Sequence, residues 1–101
     1  METKTYAHDT TLLVLDDTVI EVFRRLVAGS QRIPLVWAAA MLKPKKGDEI
    51  QVQVGIASNA SDPFYSDAVT GSGAFVFSIP QSEQASLRSF LDEAARRAQR
   101  A

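Results

Sequence analysis

The sequence contains no cysteine and a single histidine, and this scarcity excludes several kinds of chemistry. Without cysteine there is no disulfide, no thiolate nucleophile and no cysteine-ligated zinc site. One imidazole cannot supply the several histidine ligands of the usual metal centres. His8 is followed by Asp9, as in half of a general-base pair, but the sequence identifies no nucleophile to complete it. We therefore predict a protein without catalytic residues, metal ligands or a cofactor.

The chain also lacks an excess of charge of either sign. It has 11 Lys and Arg residues against 12 Asp and Glu residues, for a formal net charge of -1. Basic residues are absent from 51–86, and the arginine-rich segment that follows carries acidic residues as well. Because no strongly basic stripe is available to neutralise phosphates, we expect no nucleic-acid partner.

Long hydrophobic runs are missing too. The first nine residues are polar and contain no apolar core of the kind found in secretory signals. The longest uncharged apolar stretch, residues 33–42, is about half of the ~20 residues that a membrane-spanning helix needs, and Pro34 interrupts it. We expect a cytoplasmic protein with no transmembrane segment.

The apolar content is nevertheless sufficient for one hydrophobic core. Of the 101 residues, 46% are hydrophobic, which together with the low net charge excludes intrinsic disorder. A chain of this length should bury roughly 65% of the surface that is exposed in its unfolded form, enough for one domain. We predict an N-terminal tail over residues 1–9 and a single domain over residues 10–101.

Residue patterns in the first part of the chain predict strands. Residues 12–15 are an apolar strand that runs into a turn at Asp16 and Asp17. Residues 18–26 fit either a helix that begins with a capping box or a strand with period-two alternation. We favour the strand, because Asp16 and Asp17 then form a compact hairpin turn.

A second group of strands follows. Residues 32–35 predict a short edge strand or a bend, because Pro34 has no backbone N–H. Residues 36–41 fit a single helical turn or a buried strand. The clearest strand is 49–56, in which isoleucine and valine alternate with polar residues and glycine after a Lys-Pro-rich turn. Residues 74–79 predict one more strand.

An amphipathic helix follows the strands. From Gln81 or Ser82 onward, apolar residues recur at spacings of three and four positions: Leu87, Phe90, Leu91, Ala94, Ala95 and Ala98. Arginines concentrate toward the end of this helix, where they complement the helix dipole. We predict that the apolar stripe docks on the strands, because an isolated helix of this length is marginal in water.

This order of elements, with the acidic turn, the Arg-Ile-Pro-Leu segment at 32–35 and the Lys-Pro-rich hairpin, resembles the pleckstrin-homology-like (PH-like) domains of bacterial, especially actinobacterial, proteins. The resemblance covers roughly residues 10–100. It lies in the pattern of apolar, basic and acidic positions and not in particular amino acids. It implies an α+β fold: a PH-like partial barrel of two antiparallel sheets, with about seven strands, capped by one C-terminal α-helix.

The resemblance does not imply a phosphate site in this chain. Eukaryotic PH domains that bind inositol phosphates carry basic residues on the first two strands and on the loop between them. In this sequence that loop would be Asp16-Asp17, where two acidic side chains would repel phosphate. We therefore do not carry the site over.

Two sets of residues are candidates for binding. The first is aromatic and could contact a partner: Trp37, Phe64 and Tyr65. For Trp37 a position in the core is favoured. The second set is basic and could contact an anion: Lys43, Lys45, Lys46, Arg24 and Arg32. For these an ordinary solvated surface is favoured, because ~1 kcal/mol per lysine near an anionic membrane gives only weak binding.

These observations predict a non-catalytic PH-like interaction domain. Protein binding or self-association through an exposed sheet edge or an aromatic patch is the leading hypothesis, because unpaired strand edges invite pairing. The alternative is weak peripheral binding of anionic lipid or of a small anionic ligand through the basic residues.

Overall fold

The computed structural model describes residues 2–25, 29–59, 61–66 and 75–98, which form two antiparallel β-sheets and one α-helix. The first sheet has the strand order β1-β2-β3-β4, and the second has the order β5-β6-β7. The elements are β1 (Lys4–His8), β2 (Thr11–Leu15), β3 (Val19–Arg24), β4 (Ser30–Pro34), β5 (Ala38–Pro44), β6 (Glu49–Ile56), β7 (Phe75–Pro80), a 3-10 turn (Gln81–Glu83) and α1 (Gln84–Arg97). The α+β class, the two antiparallel sheets and the C-terminal helix are confirmed.

The N-terminal segment departs most from expectation. The tail predicted for residues 1–9 is wrong for Lys4–His8, which form the edge strand β1 and pair antiparallel with β2. Tyr6 lies opposite Leu13, and both side chains are buried. Only Tyr6 and Ala7 are apolar in this strand, so its own alternation is too weak to identify it. The strand exists because an apolar neighbour, β2, pairs with it.

The additional strand also changes which turn is the first hairpin. Asp9 and Thr10 join β1 to β2, and Asp9 has a positive φ of 52°, which aspartate tolerates better than most residues. The Asp16-Asp17 turn instead joins β2 to β3, and the Asp16 N–H donates to the Val19 carbonyl oxygen over 3.0 Å. The acidic turn is therefore confirmed as a hairpin but is not the loop between the first two strands.

The ambiguous segment 18–26 contains a strand, as favoured. β3 runs from Val19 to Arg24, and Leu26 lies outside the described residues. Ile20 and Val22 are both buried. A helix would turn side chains two positions apart toward nearly opposite faces, whereas a strand places both on one face. Burial of this pair against the core therefore selects the strand.

The turn between the two sheets explains the position of Pro34. Strand β4 is an edge strand, as predicted, and Pro34 is its last residue. The Leu35 N–H donates to the Thr18 carbonyl oxygen over 2.8 Å, so the neighbouring Pro34 nitrogen faces away from β3, where no N–H is needed. For residues 36–41 the alternatives were a single helical turn and a buried strand. The structure has a turn at residues 36 and 37, and strand β5 begins at Ala38.

The helix α1 completes a core to which both sheets contribute. Its buried side chains are Leu87, Phe90, Leu91 and Ala94, with Ala98 just beyond its end. They belong to one buried cluster with side chains from both sheets, and the rings of Phe90 and Tyr6 lie 6.4 Å apart between centroids. Each large apolar side chain contributes ~1.5 to 3 kcal/mol on burial. The predicted docking of the apolar stripe is confirmed.

Arg97 attaches the last turn of α1 to the first sheet. Its guanidinium donates to the backbone oxygens of Glu2 (2.6 Å) and Asp16 (3.2 Å), and its Nε donates to Glu93 (2.7 Å). Hydrogen bonds from Arg96 and Arg97 lower the pKa of the Glu93 carboxyl to about 2. The C-terminal arginines thus have a specific structural role in addition to complementing the helix dipole.

Replacing Leu91 with aspartate is expected to unfold the protein. The position is fully buried, and an unpaired buried charge costs several kcal/mol, a large part of a typical stability of about 5–15 kcal/mol. Circular dichroism during thermal unfolding measures the effect. Ser89→Asp, on the exposed side of the same helix, is the control and should keep the melting temperature of the original protein. An unchanged melting temperature for Leu91→Asp would contradict the docking of α1.

Candidate functional site

Trp37 lies at the surface, so the favoured core position is wrong. Trp37 is 54% exposed, and its neighbours Val36 and Ile56 are 59% and 39% exposed. The Ala57 N–H donates to the Trp37 carbonyl oxygen over 2.8 Å, which brings the end of β6 beside the turn that precedes β5. We name the three exposed residues Val36, Trp37 and Ile56 the Trp37 surface.

The Trp37 surface is held by backbone hydrogen bonds and carries no charge. The Trp37 N–H donates to the Pro34 carbonyl oxygen over 2.9 Å, in addition to the bond from Ala57. The two stretches that supply the surface, residues 33–42 and 50–61, contain no charged side chain. Exposed apolar side chains that include a tryptophan, on uncharged segments, are typical of surfaces that proteins bury on association.

The other two aromatic candidates do not extend this surface. Phe64 is buried in the core, so its predicted role as a contact residue is wrong. Tyr65 is half-buried and packs edge-to-face on Phe64, with 5.4 Å between ring centroids. The backbone of this segment pairs with the outer edge of β5: the Ala40 N–H donates to Phe64 O (2.8 Å), and the Ser66 N–H donates to Ala40 O (3.0 Å).

Tyr65 connects this segment to α1. Its hydroxyl donates to Asp92 Oδ1 over 2.5 Å, and the Arg88 guanidinium carbon lies 4.9 Å from the centroid of its ring. Burial, followed by the hydrogen bond to Asp92, raises the pKa of the Tyr65 hydroxyl. A cleft of about 330 Å³ lies beside this contact, between β5 and α1. Arg88 and Asp92 were not among the predicted site residues, although their i, i+4 spacing places them on one helix face.

Tyr6 makes a corresponding contact between the first sheet and the 3-10 turn that precedes α1. Its hydroxyl donates to Glu83 Oε1 over 3.2 Å, and His8 Nδ1 lies 3.9 Å from the same oxygen. Burial, followed by the charge of Glu83, raises the pKa of Tyr6 to about 12. His8 therefore belongs to a strand and neighbours a carboxylate that joins β1 to the start of the helix.

The basic candidates do not converge on one site. Lys43, Lys45 and Lys46 are exposed at the β5–β6 hairpin, and Lys45 Nζ donates to Ser78 Oγ over 3.2 Å. Arg32 is exposed on β4 of the other sheet, opposite Glu21. The hairpin lysines are thus separate from Arg32.

Arg24 is engaged in a contact between the two sheets. It lies at the end of β3, and its guanidinium donates to the carbonyl oxygen of Val76 in β7. The guanidinium carbon lies 4.2 Å from the centroid of the Phe75 ring. Arg24 therefore contacts β7 through one N–H of its guanidinium, which carries several donors.

Comparison with known proteins identifies no family: no family model, curated protein or solved structure matches the chain. In the described residues, no helix is both long enough and apolar enough to cross a membrane. The described ranges also hold no group of three His, Asp or Glu side chains placed to bind a metal ion. The main candidate site is the Trp37 surface, because its three apolar side chains are exposed.

Both tyrosines are expected to ionise above their ordinary pKa of 10.0 while the protein is folded. Because the folded-state pKa of Tyr6 is raised to about 12, its contribution to stability is complete below pH 10.0 and is lost as the pH rises through about 12. Ultraviolet titration of tyrosinate, compared with the same titration in guanidinium chloride, measures this difference. In the Tyr65→Phe variant, the tyrosinate absorbance comes from Tyr6 alone, so its pKa is measured separately. Titration of the folded protein near pH 10.0 would contradict the contacts of Tyr6 with Glu83 and of Tyr65 with Asp92.

Proposed function

We propose that the protein is a non-catalytic PH-like interaction domain that acts in the cytoplasm and binds a second copy of itself through the Trp37 surface. The exposure of Trp37 carries this proposal. A tryptophan buries a large area on association, and two further exposed apolar residues, Val36 and Ile56, lie on the two segments that its backbone hydrogen bonds join.

The order of elements supports the PH-like part of the proposal. A four-stranded antiparallel meander is followed by a three-stranded one, and then by a helix that packs into the shared core. This arrangement agrees with the fold that the sequence resemblance implies. One fold hosts many functions, so the function itself is inferred from the exposed surface.

A second copy is a chemically suitable partner for the Trp37 surface. In a two-fold symmetric dimer, the same patch faces itself, so any charged residue in it would face its own copy. The absence of charge from residues 33–42 and 50–61 removes that repulsion. Stable interfaces bury about 800 Å² per partner, considerably more than three side chains supply. We therefore expect a weak dimer whose population depends on concentration.

The alternative function is weak binding of anionic lipid or of a small anionic ligand. It is supported by the exposure of Lys43, Lys45 and Lys46 on a single hairpin. At ~1 kcal/mol each, three lysines supply about 3 kcal/mol before the repulsion of the neighbouring Asp48 and Glu49 is subtracted. Arg32 lies on the other sheet and does not add to this group, whereas the Arg24 guanidinium reaches β7 at Val76, two residues from the Ser78 partner of Lys45.

Self-association is tested by light scattering over a range of concentrations. The mass should rise from 11.0 kDa toward twice that value, and the emission of Trp37, the only tryptophan, should shift to shorter wavelength in parallel. Trp37→Ala should remain monomeric at every concentration, with stability changed by no more than about 0.5 kcal/mol because the residue is exposed.

Leu12→Ala is the matched control, because Leu12 is another exposed apolar residue and lies on β2. This variant should associate as the original protein does. A protein that stays monomeric throughout, or a Trp37→Ala variant that still associates, would contradict the proposed function.

The lipid alternative is tested by co-sedimentation with vesicles that contain an anionic phospholipid. Under the alternative function, the protein binds at low salt, and the combined replacement of Lys43, Lys45 and Lys46 with glutamate weakens binding by about a hundredfold or more. The proposed function predicts no co-sedimentation at physiological ionic strength. Vesicles of neutral lipid are the control for binding that does not depend on charge.

A further inference from the structure

Strand β7 ends the second sheet, and one of its edges faces away from β6. The Gln81 N–H donates to the Asp48 carbonyl oxygen over 2.6 Å, so the backbone at Gln81 points toward the β6 side. The backbone N–H and C=O groups of successive residues in an antiparallel strand point alternately to its two sides. Those of Ser78 and Val76 therefore point away from β6. No other described strand pairs with this side of β7. We name it the β7 edge: the outward backbone groups of Val76 and Ser78.

Two cationic side chains lie at the β7 edge. The Arg24 guanidinium donates to the Val76 carbonyl oxygen, and Lys45 Nζ donates to Ser78 Oγ over 3.2 Å. Val76 is itself an exposed apolar residue, whereas the next residue, Phe77, faces the core. The edge therefore combines strand hydrogen-bonding groups, positive charge and access to apolar surface.

We propose that the β7 edge binds an extended peptide segment of alternating acidic and apolar residues, which adds a fourth strand to the second sheet. The peptide backbone would pair with Val76 and Ser78, as in other cases of strand addition. Arg24 and Lys45 would exchange their present hydrogen bonds for bonds to the acidic side chains of the peptide, which are stronger because both partners are charged. The alternating apolar side chains would lie on the same face as Phe77.

The charges at the β7 edge favour an acidic partner over a second copy of this chain. If two β7 edges paired antiparallel around Phe77, Val76 of each copy would face Ser78 of the other. The Arg24 of one copy would then meet the Lys45 of its partner, and this repulsion disfavours self-pairing. The β7 edge is therefore a second surface, separate from the Trp37 surface, and its proposed partner is an acidic peptide.

Blocked peptides of alternating aspartate and valine are suitable probes. These peptides are titrated into isotope-labelled protein, and the backbone amide resonances are followed by nuclear magnetic resonance. The resonances of Val76 and Ser78 should shift, and binding should weaken as the salt concentration is raised. A peptide of alternating lysine and valine is the charge control and should not bind. An acidic peptide with a central proline keeps the charge but loses a backbone donor, and should bind about tenfold more weakly.

Variants of the protein test the same contacts from the other side. Ser78→Pro removes an N–H that the sheet does not use, and should weaken binding about tenfold, whereas Ser78→Ala should bind normally. Arg24→Gln and Lys45→Gln should each weaken binding and reduce its salt dependence. Arg32→Gln, on the edge strand of the other sheet, is the matched control and should have no effect.

The proposal is overturned if the proline-containing peptide binds as tightly as the regular one, because charge alone would then account for binding. It is also overturned if the shifts occur away from Val76 and Ser78, or if folded Ser78→Pro binds normally. If circular dichroism shows that Ser78→Pro is unfolded, the proposal is still tested on the original protein, by the affinity of the proline-containing peptide and by which amide resonances shift. Trp37→Ala should bind the peptide normally, so failure at this edge and failure of self-association are distinguishable.

Discussion

Burial of the apolar face of α1 is the constraint on which the structure depends. Neither sheet alone covers Leu87, Phe90 and Leu91, because the buried cluster that contains them draws side chains from both sheets. Two small sheets with no helix would leave this shared interior open to water. The polar contacts of Arg97, Tyr6 and Tyr65 surround the helix and fix its position, but apolar burial supplies most of the free energy.

The position of α1 also determines which surfaces remain for binding. The segment at Phe64 and Tyr65 is drawn onto β5 and the helix, so these aromatics support the fold. Trp37 and the β7 edge lie outside these contacts, one uncharged and apolar, the other cationic. The net charge of -1 therefore conceals two surfaces with different chemistry.

Predictability from sequence depended on whether the signal was local. The alternation of 49–56 and the spacing of Leu87, Phe90 and Leu91 are intrinsic to their segments, and both elements were predicted correctly. Strand β1 was missed because its own sequence contains few apolar residues. Its stability comes from pairing with β2, which supplies most of the apolar side chains of this hairpin. Arg24 was a candidate anion ligand, yet Phe75 and Val76, distant in sequence, determine its contacts.

Composition and periodicity by themselves determined that this chain forms one small domain, with several short strands followed by one amphipathic helix. They could not determine which aromatic side chains are buried, because Trp37, Phe64 and Tyr65 all have the same general preference for burial. Only the tertiary structure decided this: Phe64 packs in the core, whereas Trp37 lies in the turn between the two sheets and is 54% exposed. The candidate interaction surface exists for that reason, since burial depends on neighbours that are remote in sequence.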